Sequence, residues 1–294
     1  MKSFDGESDA LRKALDEGAR TLPGTDGSVR LLALDDSRAI AEELGRSRRD
    51  VELAAVRAHI MPVRYRRSLG TVGWDGQAAL LSSCVAVVGC GGLGGWVVEG
   101  LARMGVGRLI LVDGDRFDED NLNRQLGCLE GTLGRSKVAV LAERVRQVNG
   151  GVDVTAFDVA LDAGNGPGLL SGADVVIDAL DSLPARYLLQ RLARDMDIPM
   201  VHGAVAGYTG QVMTIMPGDA GLTRLYGEEP AMERGVETRF GNPAATPMLV
   251  GAWQLAEVVK LLIGEGSRIR DRMLFLDTLY GDASAVSWAT ERGE

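Results

Sequence analysis

The sequence predicts an α/β protein with a Rossmann-like, doubly wound and mostly parallel sheet. From residue 84 onward, short apolar runs alternate with segments whose apolar residues recur at helical spacing. This pattern is typical of parallel strands with helices on both faces. A glycine-rich turn follows the first apolar run, as in nucleotide-binding folds of this class. The last apolar runs lie close together and predict an antiparallel C-terminal extension.

Each element of the predicted sheet can be assigned to a stretch of sequence. In chain order, the pattern predicts strands at VAVVG, RLILVD, VDVTAFD, ADVVIDAL and IPMVHGAV. Helices are predicted between them over Leu93–Met104, Ser136–Val148 and Pro184–Asp195, and the early proline of the third suits the first turn of a helix. Beyond them we predict a strand at GQVMTIMPG, a helix over residues 248–262 and a closing hairpin at RMLFLDTLYGDASAVSW.

The first 63 residues are predicted as a helical prefix to a domain that spans residues 64–294. DDSRAIAEELG and SRRDVELAAVRAHI have the apolar spacing of two short helices, separated at Gly45. Ser47 suits the N-cap of the second helix, with Asp50 three residues on. The pair resembles a helix-turn-helix, but its acidic and basic residues alternate without forming a basic face. A packing or dimer-contact role is therefore favoured over DNA binding.

Composition excludes several classes of partner. The chain has 294 residues, a formal net charge of −9 and 46% hydrophobic residues, so it can bury a sizeable core but lacks the basic surface that nucleic acids or anionic membranes require. No apolar run reaches the ~18–20 residues of a membrane span. The N-terminal residues contain no apolar stretch typical of a signal peptide. We therefore expect a cytoplasmic protein that binds neither nucleic acid nor membrane.

The cysteines point to a reduced intracellular protein without zinc. The chain has Cys84, Cys90 and Cys128, and none of them forms a CxxC pair. Cys84 and Cys90 lie in or beside a predicted strand and are expected to be buried. Cys128 follows the predicted nucleotide-binding region; we favour a small apolar filler there over a redox or transfer thiol. His59 and His202 lack a second histidine or cysteine in a metal-binding spacing.

The glycine turn predicts a nucleotide that carries a ribose. Gly89, Gly91 and Gly94 follow the first strand, where glycines let the backbone approach phosphate and the next helix supplies N–H donors. Asp113 ends the second strand, where a carboxylate can accept hydrogen bonds from ribose hydroxyls. The turn alone does not distinguish NAD from another nucleotide.

The residues after Asp113 favour a longer polyphosphate over NAD. Asn121, Arg124 and Gln125 lie in a loop, and Lys137 opens the following helix. Paired cations at one crevice suit charge that develops on a phosphate chain. Arg135 and Arg144, in contrast, are expected to form surface salt bridges.

The fourth strand adds acidic side chains to the same crevice. Asp178 and Asp181 emerge at its carboxyl end, where ligands bind in open α/β sheets. A carboxylate there can hold Mg²⁺ against phosphate oxygens. Asp181 is also a candidate to cap the helix before Pro184, with Ser182 sharing the cap, and both roles could be partly true.

Several ordered motifs together resemble the ThiF/MoeB/HesA adenylyltransferases, the prokaryotic relatives of ubiquitin-activating enzymes. RYRRSLGTVGWDGQAALLSSCVAVVGCGGLGG is similar to the opening segment of that family. LVDGDRFDEDNLNRQ resembles its D-x(7)-N-x-x-R-Q signature, and GRSK its G-x-x-K. DALDSLPAR and VHGAVAGYTGQV resemble the D-x-x-D-N-x-x-x-R and G-x(6)-G-Q-V motifs. The resemblance extends from about residue 64 to the C-terminus.

The resemblance implies ATP with Mg²⁺ as cofactors and gives each site residue a role. Asp113 would hold the ribose, and Asp181 would hold Mg²⁺. Arg67, or Arg66 one residue earlier, would reach the triphosphate of the partner subunit in a homodimer. The full nucleotide-binding set implied is Gly89, Gly91, Gly92, Gly94, Asp113, Asp115, Asn121, Arg124, Gln125, Lys137, Asp181 and Ser182; Arg67, Arg124, Lys137 and Asp181 are the catalytic candidates.

The implied reaction is attack of a carboxylate on the α-phosphate of ATP, which forms an acyl-adenylate and releases pyrophosphate. In this family the carboxylate is usually the C-terminal glycine of a ubiquitin-like sulphur-carrier protein. A small-molecule or peptide carboxylate is the alternative. A NAD-dependent oxidoreductase leaves Arg124, Lys137 and Asp181 unexplained, and a non-catalytic scaffold leaves the whole set unexplained.

The sequence also departs from the family pattern. It lacks the two CxxC pairs that ThiF- and MoeB-type proteins often use to bind zinc, and Ser182 replaces the usual asparagine. No cysteine lies in the stretch from Gly218 to Pro247, where many members have one. A carrier would need an exposed apolar platform, for which Leu222, Leu225, Tyr226 and Phe240 are candidates.

Overall fold

The computed structural model describes residues 9–24, 27–228 and 240–288. The helices are α1 (Asp9–Gly18), α2 (Leu34–Leu44), α3 (Arg48–Arg57), α4 (Leu69–Ser82), α5 (Gly94–Met104), α6 (Lys137–Val148), α7 (Gly166–Leu169), α8 (Leu183–Asp195), α9 (Leu222–Tyr226) and α10 (Ala245–Ile263). The strands are β1 (Ala19–Gly24), β2 (Gly27–Leu32), β3 (Ile60–Pro62), β4 (Cys84–Val88), β5 (Arg108–Val112), β6 (Asp153–Phe157), β7 (Val175–Asp178), β8 (Met200–Ala206), β9 (Thr209–Ile215), β10 (Arg272–Asp277) and β11 (Asp282–Ser287).

The main sheet confirms the predicted fold class. Within the described ranges its strand order is β11-β10-β9-β8-β7-β4-β5-β6. The strands from β8 to β6 pair in parallel, and β9, β10 and β11 extend the sheet with antiparallel pairs. From β4 the chain first adds β5 and β6 on one side and then β7 on the other. The carboxyl end of β4 therefore lies at the point where the winding reverses, which is the usual position of a ligand in open α/β sheets.

The core has two layers because both faces of β4 are covered. Val85 and Val87 pack into the layer that contains residues of α5, α6 and α10. Ala86 and Val88 point the other way and join the layer that contains residues of α8. Successive side chains of a strand face opposite sides of the sheet, so an uninterrupted apolar strand fits only between two covered faces.

Helix α10 is the long helix expected near the C-terminus. Its 19 residues, Ala245–Ile263, are long and apolar enough by composition to cross a membrane, which corrects the expectation that no segment of the chain reaches that length. In the structure, the helix contacts α4, α5, β8 and β9 and buries Val250 and Val258 in the core. These contacts are those of a core helix.

The N-terminal prefix contains a small sheet as well as helices, so its description as helical was incomplete. β1 and β2 form an antiparallel hairpin, and β3 pairs in parallel with β2. Helices α2 and α3 occur where the pattern predicted them. Gly45 ends α2 with a φ of 60°, and the Ser47 side chain accepts a hydrogen bond from the Asp50 N–H.

Tyr65, which is fully buried, links the prefix to the segment that follows α6. Its hydroxyl donates to Glu52 of α3 at 3.2 Å and accepts from the Asn149 amide at 2.8 Å. Burial raises the pKa of the Glu52 carboxyl, and Arg48 and Arg64 lie within 4 Å of it. A buried carboxylate with these partners ties the prefix to the segment after α6.

Candidate active site

A cleft of about 300 Å³ opens at the carboxyl edge of the parallel strands. It is lined by the turns that follow β4, β5 and β7, together with the start of α6. Of the residues expected to bind the nucleotide, the cleft is lined by Gly89, Gly91, Gly92, Asp113, Asp115, Arg124, Gln125, Lys137 and Asp181. Topology brings these residues together because the ends of neighbouring parallel strands meet at one edge.

The glycines of the turn serve two different purposes. Gly89 has a φ of 92°, and a Cβ on it would lie 2.4 Å from the carbonyl oxygen of Ala179. A Cβ on Gly94 would lie 1.9 Å from the Gly89 oxygen, so both residues are required by packing. At Gly91 and Gly92 the nearest atoms to an added Cβ are 3.5 and 3.7 Å away. Those two glycines keep the floor of the cleft open to a ligand.

Asp113 is held in place by the turn itself. Its Oδ2 accepts the Cys90 N–H at 2.6 Å, and its Oδ1 accepts the Asp115 N–H at 2.8 Å. Burial raises the pKa of the Asp113 carboxyl, and the backbone donors oppose that rise. Each oxygen keeps a further lone pair, so the carboxylate can also accept from a ribose.

The two expected phosphate cations border the same cleft. The Lys137 Nζ lies 2.9 Å from Asp115 Oδ2, with the lysine side chain only 9% exposed and the aspartate 72% exposed. The Arg124 guanidinium donates to the Asp120 carbonyl at 2.8 Å and to Asn123 Oδ1 at 2.7 Å. Both cations are therefore fixed by local acceptors that a polyphosphate can replace.

Gln125 lines the cleft beside the glycine turn. Its side chain is buried against Gly91, and within the described part of the chain its Oε1 has no hydrogen-bond partner. Buried polar atoms are normally paired, so this amide fits a ligand at the glycine turn. The neighbouring Asn121 lies outside the cleft lining and instead accepts the Asp118 N–H.

Asp181 is exposed at the mouth of the cleft. The residue at the N-cap of α8 is Ser182, whose side chain makes no capping hydrogen bond. The alternative in which Asp181 caps this helix is therefore wrong, and its carboxylate remains available to a cation. Ser182 and Gly94 do not line the cleft.

Arg66 and Arg67 are both exposed and lie outside the lining of the cleft in their own chain. They follow Tyr65, which anchors the segment.

The structure also adds residues that sequence reasoning left without a role. Arg186, Val205, Asn242 and Pro247 line the cleft. Arg186 was visible as the last residue of the DALDSLPAR motif, which is the only signal that could have identified it. The expectation that Asp178 lies in the crevice beside Asp181 is wrong, because Asp178 is fully buried and is not among the residues that line the cleft. Its carboxylate instead pairs with the buried His202, 2.6 Å away.

Other expectations can be compared directly with the structure. Arg135 and Arg144 form salt bridges with Glu143 and Glu99, as predicted. The three cysteines are buried, and burial raises the pKa of each thiol. Of the four residues suggested for an apolar platform, Leu222 is fully buried and cannot take part, Leu225 and Tyr226 are half-buried, and Phe240 is 62% exposed.

The fold and the cleft define the class of protein: an α/β enzyme whose glycine turn and paired cations accept a nucleotide polyphosphate. A family model described as the ThiF family matches residues 65–292. The chain belongs to the ThiF family, and it is an ATP-dependent adenylyltransferase.

Similar proteins carry related names. The SAMP-activating enzyme E1 of Haloferax volcanii is 39% identical over 232 residues, which cover 77% of this chain and 85% of the relative. The sulfur carrier protein adenylyltransferase of Thermus thermophilus is 34% identical, with 74% of this chain and 83% of the relative covered. The chain spans about half of the maize MOCS3-1 adenylyltransferase and sulfurtransferase, with 48% covered at 34% identity.

Solved structures share the fold. PaaA superposes with a TM-score of 0.65 at 17% identity, over 92% of this chain and 98% of that one. The Escherichia coli tRNA N6-threonylcarbamoyladenosine dehydratase TcdA, solved in complex with ATP, gives a TM-score of 0.58 at 25% identity, over 68% of this chain and 94% of that one.

Proposed function

We propose that this enzyme adenylates the C-terminal carboxylate of a small ubiquitin-like sulphur-carrier protein. The observation that supports this most is the cleft, where Arg124 and Lys137 face the glycine turn. Two relatives are named for the activation of SAMP and of a sulfur carrier protein, and carriers of this chemistry present a free carboxylate.

The reaction needs no protein base. A carboxylate oxygen attacks the α-phosphorus, a new acyl–oxygen–phosphorus bond forms, and the bond to the β-phosphate oxygen breaks as pyrophosphate leaves. Because the nucleophile is already anionic, catalysis consists of alignment and neutralisation of phosphate charge. Lys137 and Arg124 are the side chains that we assign to that neutralisation.

Asp181 would hold Mg²⁺ against the phosphates. Among the described residues no group of three or more His, Cys, Asp or Glu side chains is arranged to hold a metal. Mg²⁺ commonly uses one or two carboxylates and fills its other positions with phosphate oxygens and water. One exposed aspartate at the mouth of the cleft fits that pattern.

The active form would be a homodimer in which Arg67 reaches the triphosphate in the partner's cleft. Its exposure outside its own cleft is what supports this arrangement. Arg66, which is also exposed, is the alternative at this position.

The experiment that tests the proposal is ATP–pyrophosphate exchange with the purified enzyme. A carrier that ends in Gly-Gly should support exchange, and the same carrier with an amidated C-terminus should not, because it lacks the nucleophile. Exchange with small carboxylates but with no carrier would reject the carrier and retain adenylation. Absence of ATP binding would reject both.

A further inference from the structure

A buried aspartate–histidine pair includes Asp178, which lies three residues before the proposed metal ligand Asp181. Asp178 ends β7, and His202 lies beside it on β8 because the two residues are register partners. Both side chains are fully buried, and His202 Nδ1 lies 2.6 Å from Asp178 Oδ2. The adenylation chemistry described above uses neither side chain.

The neighbours of His202 define its tautomer. Gln211 Nε2 lies 3.2 Å from His202 Nε2, and the same amide nitrogen bonds to the Tyr226 hydroxyl. An amide nitrogen can only donate, so Nε2 of the imidazole accepts and Nδ1 carries the proton. His202 therefore donates to Asp178.

Asp178, oriented by His202, in turn holds the backbone of the turn that follows β7. Its Oδ1 accepts the Leu180 N–H at 3.1 Å, and its backbone carbonyl accepts from Gln254 of α10 at 2.8 Å. Arg186 holds the carbonyl group of Leu180, because its Nε and Nη2 donate to that oxygen at 3.1 and 2.7 Å. Both backbone polar groups of Leu180 are thus held by buried side chains.

The residue after Leu180 is Asp181, whose carboxylate has no hydrogen-bond or ion-pair partner among the described residues. We infer that His202 is a positioning residue: by orienting Asp178, it fixes the Leu180 backbone and so aims the Asp181 carboxylate at the phosphates. Side chains behind a metal ligand commonly set its orientation and affinity in this way. The inference rests on the proposed metal role of Asp181.

The test compares two amides at position 202. In His202→Asn the amide nitrogen occupies the place of Nδ1 and can still donate to Asp178. In His202→Gln it occupies the place of Nε2 and cannot. Both are polar and similar in size, so a purely structural cost falls on both.

The readout is Mn²⁺ binding to the enzyme with a non-hydrolysable ATP analogue, followed by electron paramagnetic resonance. We expect His202→Gln and His202→Ala to weaken Mn²⁺ binding by about 10-fold or more, the scale for losing an outer-shell partner. His202→Asn should remain close to wild type. Binding of the analogue without metal should not change in any of them.

Asp181→Ala is the reference that separates the two proposals. If Asp181→Ala leaves Mn²⁺ binding unchanged, the metal role of Asp181 fails. If it weakens binding while His202→Gln and His202→Ala do not, the positioning role of His202 is overturned. Equal weakening in His202→Asn and His202→Gln would also overturn it, because the retained donor would then have no effect.

Discussion

Lys137 Nζ lies 2.9 Å from Asp115 Oδ2, and the lysine is almost buried while the aspartate is mostly exposed. The exposed aspartate can move aside without a packing cost, whereas the lysine is fixed at the start of α6. A polyphosphate that enters the cleft can therefore replace Asp115 as the ion-pair partner of the Lys137 ammonium group.

Loss of Lys137 should slow the chemical step. Lys137→Ala removes a charge that meets the phosphates, so we expect adenylate formation to fall by about 10²-fold or more. Pyrophosphate exchange measures the effect. Arg135→Ala is the control, since Arg135 pairs with Glu143 at the surface and such pairs contribute little. A similar loss in both variants would show that the assignment is wrong.

The glycine turn should separate binding from stability. An added methyl at Gly92 has only ordinary contacts but enters the cleft. Gly92→Ala should weaken ATP binding and change the free energy of unfolding by no more than about 1 kcal/mol. Gly94→Ala places a Cβ 1.9 Å from the Gly89 oxygen and should destabilise by about 1–3 kcal/mol or more. Calorimetric titration measures the affinity for ATP, and urea unfolding measures the free energy of unfolding. If Gly92→Ala and Gly94→Ala changed both quantities equally, the separate roles of the two glycines would be contradicted.

His202 should make stability depend on pH. Burial lowers the pKa of His202 from 6.5, against the opposing effect of Asp178, and the nearby Arg186 adds to the decrease. The unfolded chain then binds a proton that the folded chain does not, so stability is greatest above about 6.5 and falls as the pH drops below it. Urea unfolding from pH 7.5 to 5 should show a smaller decrease in His202→Asn than in the wild type. Parallel profiles would contradict this source of pH dependence.

Subunits should complement one another if Arg67 acts in the partner's cleft. Arg67→Ala and Lys137→Ala should each be nearly inactive as homodimers. Mixing them should restore some pyrophosphate exchange, because one of the two sites in each mixed dimer has both residues. Two results would reject the arrangement. One is that activity does not recover even though subunit exchange has been verified. The other is full activity in an enzyme that light scattering shows to be monomeric. A parallel Arg66→Ala mixture identifies which arginine is responsible.

The main sheet was predictable because its central strands are buried on both faces and are therefore apolar throughout. The sheet of the prefix was not predictable. ARTLPG contains a proline and a glycine, GSVRLL begins with a glycine, and neither shows a clear alternation of apolar and polar residues. β1 lies at the edge of its sheet and leaves Leu22 exposed. Such strands carry little periodic signal.

The cleft was predictable in part for a similar reason. Asp113 and Asp181 follow apolar strands, and parallel topology brings strand ends together. The pairing of Asp178 with His202 depends on β7 and β8 being neighbours, which the two sequence segments do not reveal separately. The buried role of Arg186 depends likewise on the path of the Leu180 backbone.

Adenylation should not require a cysteine. Cys84, Cys90 and Cys128 are buried, and burial raises the pKa of each thiol, so little of the nucleophilic thiolate is present near neutral pH. Cys90 lies between Gly89 and Gly91 in the glycine turn, where its side chain is fully buried. Cys128 packs with Phe117 and Val140 and donates to the Asp118 carbonyl at 3.4 Å. The stretch from Gly218 to Pro247 contains no cysteine that could substitute for them.

The acyl-adenylate should therefore be the species handed to a separate sulphur donor or enzyme. A protein with all three cysteines replaced by alanine should keep pyrophosphate exchange, with circular dichroism to confirm that it folds. If the triple variant does not fold, the single variant Cys128→Ala still tests whether Cys128 is required. Metal analysis should find no stoichiometric zinc, since the chain lacks CxxC pairs. An enzyme–carrier adduct that a thiol reductant cleaves and Cys128→Ala abolishes would show instead that this buried thiol becomes accessible and accepts the acyl group.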